Sequence, residues 1–210
     1  PLGDVKLTGG LREHDIASCA FPNEQISTKA MEWALRTIIA MTRSAGARNV
    51  MTISQVLSSN GRIHIPERIL IPILIPRRKT WIIAEVTDLS LAQVDILVYN
   101  VRRGVATSAR RIKSIVTKYL TSALQCFDPS TMPIGVADVV ANASLCVIKT
   151  LPCVKNVDHS FTLLKAVQMS VSLGIETPFS KYEVSRLRCY LVGALANQMQ
   201  AFVFKDLRTC

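Results

Sequence analysis

Two apolar runs, at 69–75 and 81–86, constrain the fold of this 210-residue chain more than any other feature. They consist almost entirely of Ile, Leu, Val and other apolar residues, which is typical of strands that are covered on both faces. A turn-like segment at 87–90 leads to a third apolar stretch at 94–99, so we expect the second and third strands to form an antiparallel pair. The sequence therefore predicts a buried sheet.

The proline at position 72 sets a condition on the first of these strands. Proline has no N–H to donate to a neighbouring strand, and it is found at edges, bulges and strand starts. We therefore expect strand 69–75 to be irregular, to lie at an edge of the sheet, or to leave this position unpaired.

Helical periodicity predicts helices on both sides of the strands. Met31, Leu35, Ile38 and Ile39 form an apolar stripe that indicates a helix at 28–44. The other predicted elements are helices at 11–19, at 52–58, from Thr107 or Ser108 to 124, from Asp158 or Ser160 to a point before Gly174, and at 181–202, with a strand at 143–151. This order predicts an α+β fold. Because no repeat or long linker divides the chain, we expect one domain over 11–205 after an N-terminal extension over 1–10.

The chain is basic, with 25 Lys and Arg residues against 15 Asp and Glu residues and a formal net charge of +10. Such an excess favours acidic partners, including nucleic acid and acidic protein surfaces. The clustered cations are Arg77, Arg78, Lys79, Arg102, Arg103, Arg110, Arg111, Lys113 and Lys118. Those from Arg102 onward suggest a surface that binds DNA or chromatin. The alternative is a hairpin turn and a solvated helix face, because no aromatic interleaving or nucleic-acid motif accompanies them.

The cysteines, the hydropathy and the first residues argue against several other classes of protein. The six cysteines lie far apart, without a C-x-x-C pair or a His at zinc-finger spacing, so we expect free thiols and neither a metal nor another cofactor. Apolar runs are much shorter than the roughly 18 to 20 residues that span a bilayer. The first residues carry no secretion signal. These features predict an intracellular protein with no membrane association.

Four local patterns occur in order along the chain. They are Leu11-Arg12-Glu13-His14-Asp15-Ile16, then Ile71-Pro72-Ile73 with Thr80-Trp81, then Tyr99-Asn100-Val101, and a loop from Cys153 to Asp158-His159-Ser160. Together they resemble the SUMO-protease family of cysteine peptidases, which cleave ubiquitin-like modifiers. The resemblance extends from about Leu11 to about Gln200. It implies a papain-like α+β fold, with a small central mixed sheet flanked by helices.

The resemblance also locates the catalytic positions of the family, and this chain departs from the family at each of them. Thr80 replaces the histidine that acts as the general base, and Asn100 replaces the aspartate that orients it. His159 replaces the nucleophilic cysteine, and Cys153 replaces the glutamine that stabilises the oxyanion. A threonine hydroxyl cannot accept a proton from a thiol near neutral pH. The resemblance thus implies degenerate catalytic residues and no peptidase activity.

The resemblance implies a change in substrate binding as well. The family encloses the diglycine tail of its partner between two tryptophans. Trp81 matches the tryptophan beside the catalytic histidine, whereas Gln25-Ile26-Ser27-Thr28 occupies the place of the second one. Trp33, on the predicted helix at 28–44, is assigned to the core. Trp81 is therefore the one residue of the family's site whose identity is kept, and it is our candidate for residual binding.

The last pattern has other interpretations. Asp158-His159-Ser160 is also typical of an ordinary helix cap with a polar residue in the first turn. A relocated nucleophile is a further alternative, either Cys153 paired with His159 or Cys146. Cys146, on an apolar strand, is better explained as a core residue.

The leading hypothesis from the sequence is a pseudoprotease that acts as a protein-interaction or scaffolding module in an intracellular, nuclear assembly. Its expected partner is another protein, either a ubiquitin-like modifier or a chromatin-associated subunit. The nuclear location follows from the resemblance and the basic charge. The competing hypotheses are a basic DNA- or chromatin-binding domain and an active cysteine hydrolase with a relocated nucleophile.

Overall fold

The computed structural model describes residues 11–20, 25–43, 49–75, 80–91, 95–100, 109–141, 145–150, 159–173 and 180–206. Within these ranges five strands form one sheet in the order β1-β2-β3-β4-β5. The strands are β1 Val50–Thr52, β2 Arg68–Ile75, β3 Thr80–Thr87, β4 Asp95–Asn100 and β5 Leu145–Thr150. The pairs β2–β3 and β3–β4 are antiparallel, whereas the outer strands β1 and β5 run parallel to their neighbours. The predicted α+β class and the small mixed sheet are confirmed.

The pairing of β1 explains how the sheet accommodates Pro72. β1 pairs with residues 68–70 of β2 and extends no further. Pro72 therefore lies in a part of β2 that has only β3 as a neighbour among the described strands. An open edge tolerates a residue without an N–H, because no neighbouring carbonyl there requires the donor. Of the three expectations for this proline, the edge position is the one that the structure shows.

Seven α-helices in the described ranges flank the sheet. They are α1 Glu13–Ala20, α2 Thr28–Arg43, α3 Ile53–Leu57, α4 Ala109–Ala123, α5 Val136–Ala141, α6 His159–Leu173 and α7 Lys181–Asp206. The sequence predicted all of them except α5, and it also missed β1. Both are too short to show a periodic pattern. Nowhere in the described ranges does a helix combine the length and the apolar character that crossing a bilayer requires.

The sheet separates two hydrophobic cores. On one face, α1, α2, α6 and α7 cover Leu70, Trp81 and Ile83. On the other face, α3, α4 and α5 cover Ile82 and Ala84. Successive side chains of β3 thus enter opposite cores, as the period of two in a strand requires. This double coverage explains why β2 and β3 are nearly continuous apolar runs.

Candidate functional site

Two of the catalytic positions assigned by the resemblance, Thr80 and Asn100, lie at the end of the sheet where β3 begins and β4 ends. β3 starts at Thr80, and β4 ends at Asn100. Because these strands are antiparallel, with Ile83 opposite Tyr99, the first residue of β3 and the last residue of β4 lie at the same end of the sheet. We call this the Thr80 end.

The N-terminus of α6 is directed to the Thr80 end. Near the other end of the helix, the Ser170 hydroxyl donates to Glu85 Oε2 over 3.2 Å. Trp81, at the start of β3, binds the Ile26 carbonyl, and the adjacent Ser27 N–H donates to the Ser18 hydroxyl of α1. Arg188 joins Cys19 and Ala20, at the end of α1, to Phe161 in the first turn of α6. These contacts place His159, the first residue of α6, at the Thr80 end.

An arginine fixes the first turn of α6 against α1. Arg188 of α7 donates to the carbonyl oxygens of Cys19 and Ala20, over 3.3 and 3.0 Å, at the end of α1. The same guanidinium lies 5.2 Å from the ring centre of Phe161, which is a cation–π contact. Helices α1, α6 and α7 therefore meet at the start of α6.

Trp81 is buried beside the segment that joins α1 to α2. It is 2% exposed, and its indole N–H donates to the Ile26 carbonyl over 2.9 Å. The next residue, Ser27, caps α2, since its hydroxyl oxygen accepts from the Ala30 N–H over 3.1 Å. In this structure Trp81 is thus a core residue with its polar atom satisfied. Its role in partner binding stays a prediction.

The entry segment at 11–16 is held by Asp15, which is buried. One carboxylate oxygen accepts from the Arg12 N–H over 2.8 Å, and the other accepts from the Ser27 hydroxyl. The Ser18 hydroxyl donates to the Asp15 carbonyl over 2.6 Å and accepts from the Ser27 N–H over 3.1 Å. The first of the four sequence patterns therefore fixes the starts of α1 and α2.

The structure describes the catalytic positions assigned by the resemblance to different extents. Thr80 is 5% exposed, so its hydroxyl is withdrawn from bulk water. His159 is half-buried in the first turn of α6. For Asn100 the structure describes the backbone only, and Cys153 lies outside the described residues. Thr80 thus has a hydroxyl and His159 an imidazole at the positions that the resemblance assigns to the base and the nucleophile.

The described cysteines differ in accessibility. Cys19 is buried, Cys126 is half-buried and Cys189 is exposed, and all three are free. Burial raises the pKa of the Cys19 thiol to about 11, so it is protonated and unreactive at neutral pH. Cys146 lies within β5, opposite Ile96. Among the described residues, no group of three His, Cys, Asp or Glu side chains is placed to bind a metal ion.

A buried polar cluster at the opposite end of β3 was missed by the sequence analysis. Glu85, 2% exposed, accepts from Arg68 Nη1 over 2.8 Å, from the Tyr99 hydroxyl over 2.7 Å and from the Ser170 hydroxyl over 3.2 Å. Burial and then the Glu85 carboxylate raise the pKa of Tyr99, so the phenol keeps its proton. A single carboxylate inside the apolar run of β3 was the available signal, because a buried charge requires partners. The cluster ties α6 to the sheet.

Helix α4 combines a buried apolar stripe with a basic outer surface. The buried residues are Ile112, Val116, Leu120 and Ala123. Of its cations, Arg110, Arg111 and Lys118 are exposed, and Lys113 is half-buried. The other two cations of the predicted basic surface, Arg102 and Arg103, lie outside the described residues.

Comparison with known proteins adds evidence on the fold. No family model and no curated protein matches the chain. A solved structure described as a de-sumoylating protease shares 13% identity over 98% of this chain and 95% of that chain, with a TM-score of 0.58. Two structures of the SUMO protease Ulp1 carry the catalytic cysteine oxidized to a sulfenic or a sulfonic acid. They share 13% identity over 88% and 90% of this chain and 82% and 87% of theirs, with TM-scores of 0.58 and 0.59.

These similarities cover nearly the whole chain, and at this level of identity they concern its architecture. They agree with the mixed sheet, the helices on its two faces and the order of elements. The chain has the α+β fold of SUMO proteases, as its sequence patterns predicted.

Proposed function

We propose that this chain is a SUMO-protease-like domain without peptidase activity that serves as a protein-interaction module. The observation that carries the proposal is Thr80. This residue begins β3 directly before Trp81, at the place that the resemblance assigns to the general base, and it is buried. Its hydroxyl cannot take a proton from a thiol near neutral pH.

The place of the nucleophile supports the same proposal. A cysteine at the first residue of α6 would be activated, because a helix N-terminus stabilises a thiolate. This chain has His159 at that point. An imidazole has no thiol group that the helix N-terminus could stabilise in the ionised form. With Asn100 and Cys153 at the other two positions, the sequence keeps no member of the catalytic set.

The expected course of the diglycine tail gives further support. The resemblance places Trp81 on one side of the tail groove and the segment at 25–28 on the other. In this protein the two sides are in contact, since the Trp81 indole donates to the Ile26 carbonyl and both residues are 2% exposed. A tail that entered between them would have to break this hydrogen bond and expose two buried side chains.

The proposal is tested by incubating the protein with a SUMO vinyl-sulfone probe and mapping any adduct by mass spectrometry. We expect no labelling of the wild-type protein. Labelling at Cys153 that is lost in Cys153→Ala would contradict the proposal and establish a relocated nucleophile. A variant that carries Thr80→His, Asn100→Asp, Cys153→Gln and His159→Cys is the matched comparison. If this variant is labelled, the four substituted residues account for the inactivity. If it is not labelled, the closed groove between Trp81 and the segment at 25–28 accounts for part of the inactivity.

The proposed partner is a ubiquitin-like modifier or a chromatin-associated subunit, in an intracellular, nuclear assembly. It is supported by the SUMO-protease-like fold and by a net charge of +10, which favours an acidic partner. Cross-linking in nuclear extract followed by mass spectrometry tests it. We expect a protein partner that remains after nuclease treatment. Recovery that depends entirely on nucleic acid would favour the DNA- or chromatin-binding alternative instead.

A further inference from the structure

An exposed segment between α3 and β2 contains the one Asn-Gly pair of the chain, Asn60-Gly61. α3 ends at Leu57, and Asn60, Gly61 and Arg62 are all exposed in a bend that belongs to neither a helix nor a strand. Proteolysis and tolerance to chemical change concentrate at such exposed bends of small and polar residues. None of the residues that support the proposed function belongs to this segment.

An asparagine that precedes a glycine reacts with its own backbone. The Gly61 nitrogen attacks the carbonyl carbon of the Asn60 side chain, a C–N bond forms, and the side-chain amide leaves as ammonia with the proton that Gly61 loses. Water then opens the resulting cyclic imide at one of its two carbonyl groups, which gives aspartate or isoaspartate at position 60. One water is consumed for each ammonia released, and nothing is oxidised or reduced. Glycine favours the attack because it has no Cβ to crowd its nitrogen.

The fold leaves both reacting groups of this pair in solvent. Among the described residues, neither the Asn60 side chain nor the Gly61 N–H has a hydrogen-bond partner. The chain is anchored on either side of them. The Ser59 hydroxyl donates to a carbonyl in the last turn of α3 over 2.8 Å, and the Ile63 N–H donates to the Cys126 carbonyl over 2.9 Å. Between these anchors, the Asn60 side chain can turn towards the Gly61 nitrogen without breaking a hydrogen bond.

Asn49 provides a contrast a short distance earlier in the chain. It is exposed as well, but the next residue is Val50, which is buried in β1 and has a branched Cβ beside the nitrogen that would attack. The Asn49 carbonyl accepts from the N–H groups of Glu67 and Arg68 over 2.9 and 3.3 Å, so its backbone is held at the start of β1. Exposure is therefore common to the two asparagines, whereas the freedom to form the imide belongs to Asn60.

We propose that Asn60 is a site of spontaneous deamidation in the folded protein, with water as the co-reactant. Each event adds a carboxylate two residues before Arg62 and lowers the formal net charge of +10 by one. Where the product is isoaspartate, the main chain also gains one carbon atom between the anchors at Ser59 and Ile63. The site gives the protein a time-dependent change of charge on an exposed surface, independent of the proposed function.

The test incubates the native protein at pH 8 in water enriched in heavy oxygen, followed by trypsin digestion in ordinary water and mass spectrometry. Trypsin cleaves after Arg48 and Arg62, so both asparagines lie in one peptide, residues 49–62, and fragmentation distinguishes them. We expect deamidation at position 60 to be at least several-fold faster than at position 49. Heavy oxygen in the new carboxylate identifies product that formed in the native protein rather than during digestion.

Gly61→Ala is the matched variant. A Cβ at Gly61 would meet no heavy atom within 4 Å, and this glycine has no positive φ, so the variant should fold as the wild type does. We expect it to slow deamidation at position 60 several-fold and to leave the rate at position 49 unchanged. Asn60→Asp is the standard for the product on cation-exchange chromatography. An acidic species that elutes with it should grow with time in the wild type and much more slowly in Gly61→Ala.

Three outcomes would overturn the deamidation proposal. They are equal rates at positions 60 and 49 in the native protein, equal rates at position 60 with and without Gly61→Ala, and reaction at position 60 that requires unfolding in urea. The last outcome would mean that the fold protects the pair. None of these outcomes depends on whether the vinyl-sulfone probe labels the protein.

Discussion

The two ends of β3 use polar residues in opposite ways. At the Glu85 end, a buried carboxylate has three donors, from β2, β4 and α6. At the Thr80 end, where the resemblance expects charged catalytic groups, the strand begins with a buried hydroxyl and a buried indole. The Trp81 N–H at that end donates to the Ile26 carbonyl. The Glu85 end is thus built on a buried Arg–Glu ion pair, whereas Trp81 packs the Thr80 end against the segment between α1 and α2.

This difference indicates which polar groups the fold depends on. A buried carboxylate cannot lose a donor without a large cost, so the Glu85 cluster is part of the architecture. Catalytic groups carry no such constraint, since they serve a reaction and can be replaced by residues that pack well. The architecture of a SUMO protease is therefore compatible with Thr80, and the cluster at the far end of β3 contributes to holding it.

The largest expected effect comes from removing the carboxylate of the Glu85 end. Glu85→Ala leaves the Arg68 guanidinium and the Tyr99 hydroxyl without their shared acceptor, and it removes the bond from α6. We expect a loss of about 3 to 5 kcal/mol in the free energy of unfolding, the range for breaking a buried ion pair. Urea denaturation followed by circular dichroism measures it.

The control replaces the whole ion pair. Arg68→Met with Glu85→Leu and Tyr99→Phe removes both charges together with the hydroxyl that depends on Glu85, and replacements of a buried ion pair by apolar residues are often close to neutral. If Glu85→Ala costs less than about 1 kcal/mol, within the range of an ordinary surface change, the architectural role of the cluster is wrong.

The next effect concerns the closed Thr80 end. Trp81→Phe keeps an aromatic ring in the core but leaves the Ile26 carbonyl without its donor. We expect a loss of about 1 to 3 kcal/mol from the unmade hydrogen bond and the smaller ring. Trp33→Phe, at a half-buried position, is the matched control and should cost less. Equal costs for the two variants in thermal denaturation would show that Trp81 does not close this end.

The sequence predicted the parts of the fold that have local signals. The nearly continuous apolar runs of β2 and β3 and the periodic stripe Ile112, Val116 and Leu120 of α4 are such signals, and they predicted these elements correctly. β1 was missed because its three residues carry no period, and its position depends on pairing with Arg68 far along the chain. Because β1 pairs only with residues 68–70, the edge of β2 at Pro72 has no neighbour among the described strands on that side.

The sites were less predictable because they depend on contacts between distant residues. Nothing next to Glu85 in sequence indicates Arg68, Tyr99 and Ser170 as its partners. A groove beside β2 likewise brings Leu57 and Tyr119 together from separate helices. The catalytic positions were assigned by the family resemblance rather than by periodicity, since they are single residues.

A smaller, pH-dependent effect distinguishes the Glu85 end. The folded pKa of Tyr99 is raised above its ordinary value of 10.0, first by burial and then by Glu85. The neutral phenol is therefore favoured in the folded state. Its contribution to stability is complete below pH 10.0 and is lost as the pH rises above that value. We expect the midpoint of urea denaturation to fall more steeply above pH 10 in the wild type than in Tyr99→Phe.

Cys19 also makes the free energy of unfolding fall as the pH rises, because burial raises its thiol pKa from 9.0 to about 11. Both proteins, with and without the Tyr99→Phe substitution, are therefore compared in a Cys19→Ala background. Parallel curves for the two proteins above pH 10 would contradict a buried, proton-retaining Tyr99.

The smallest perturbation leaves stability unchanged and tests whether the Thr80 end is closed. Cys19 lies at the end of α1, where Arg188 binds its carbonyl, and its thiol is buried with a raised pKa. Cys189, on α7, is exposed and is the internal control. With iodoacetamide at pH 8, we expect rapid alkylation at Cys189 and little at Cys19, measured by peptide mass mapping, because alkylation requires an accessible thiolate. Equal rates at the two cysteines would mean that this end opens readily, and the closed groove would then no longer support the absence of peptidase activity.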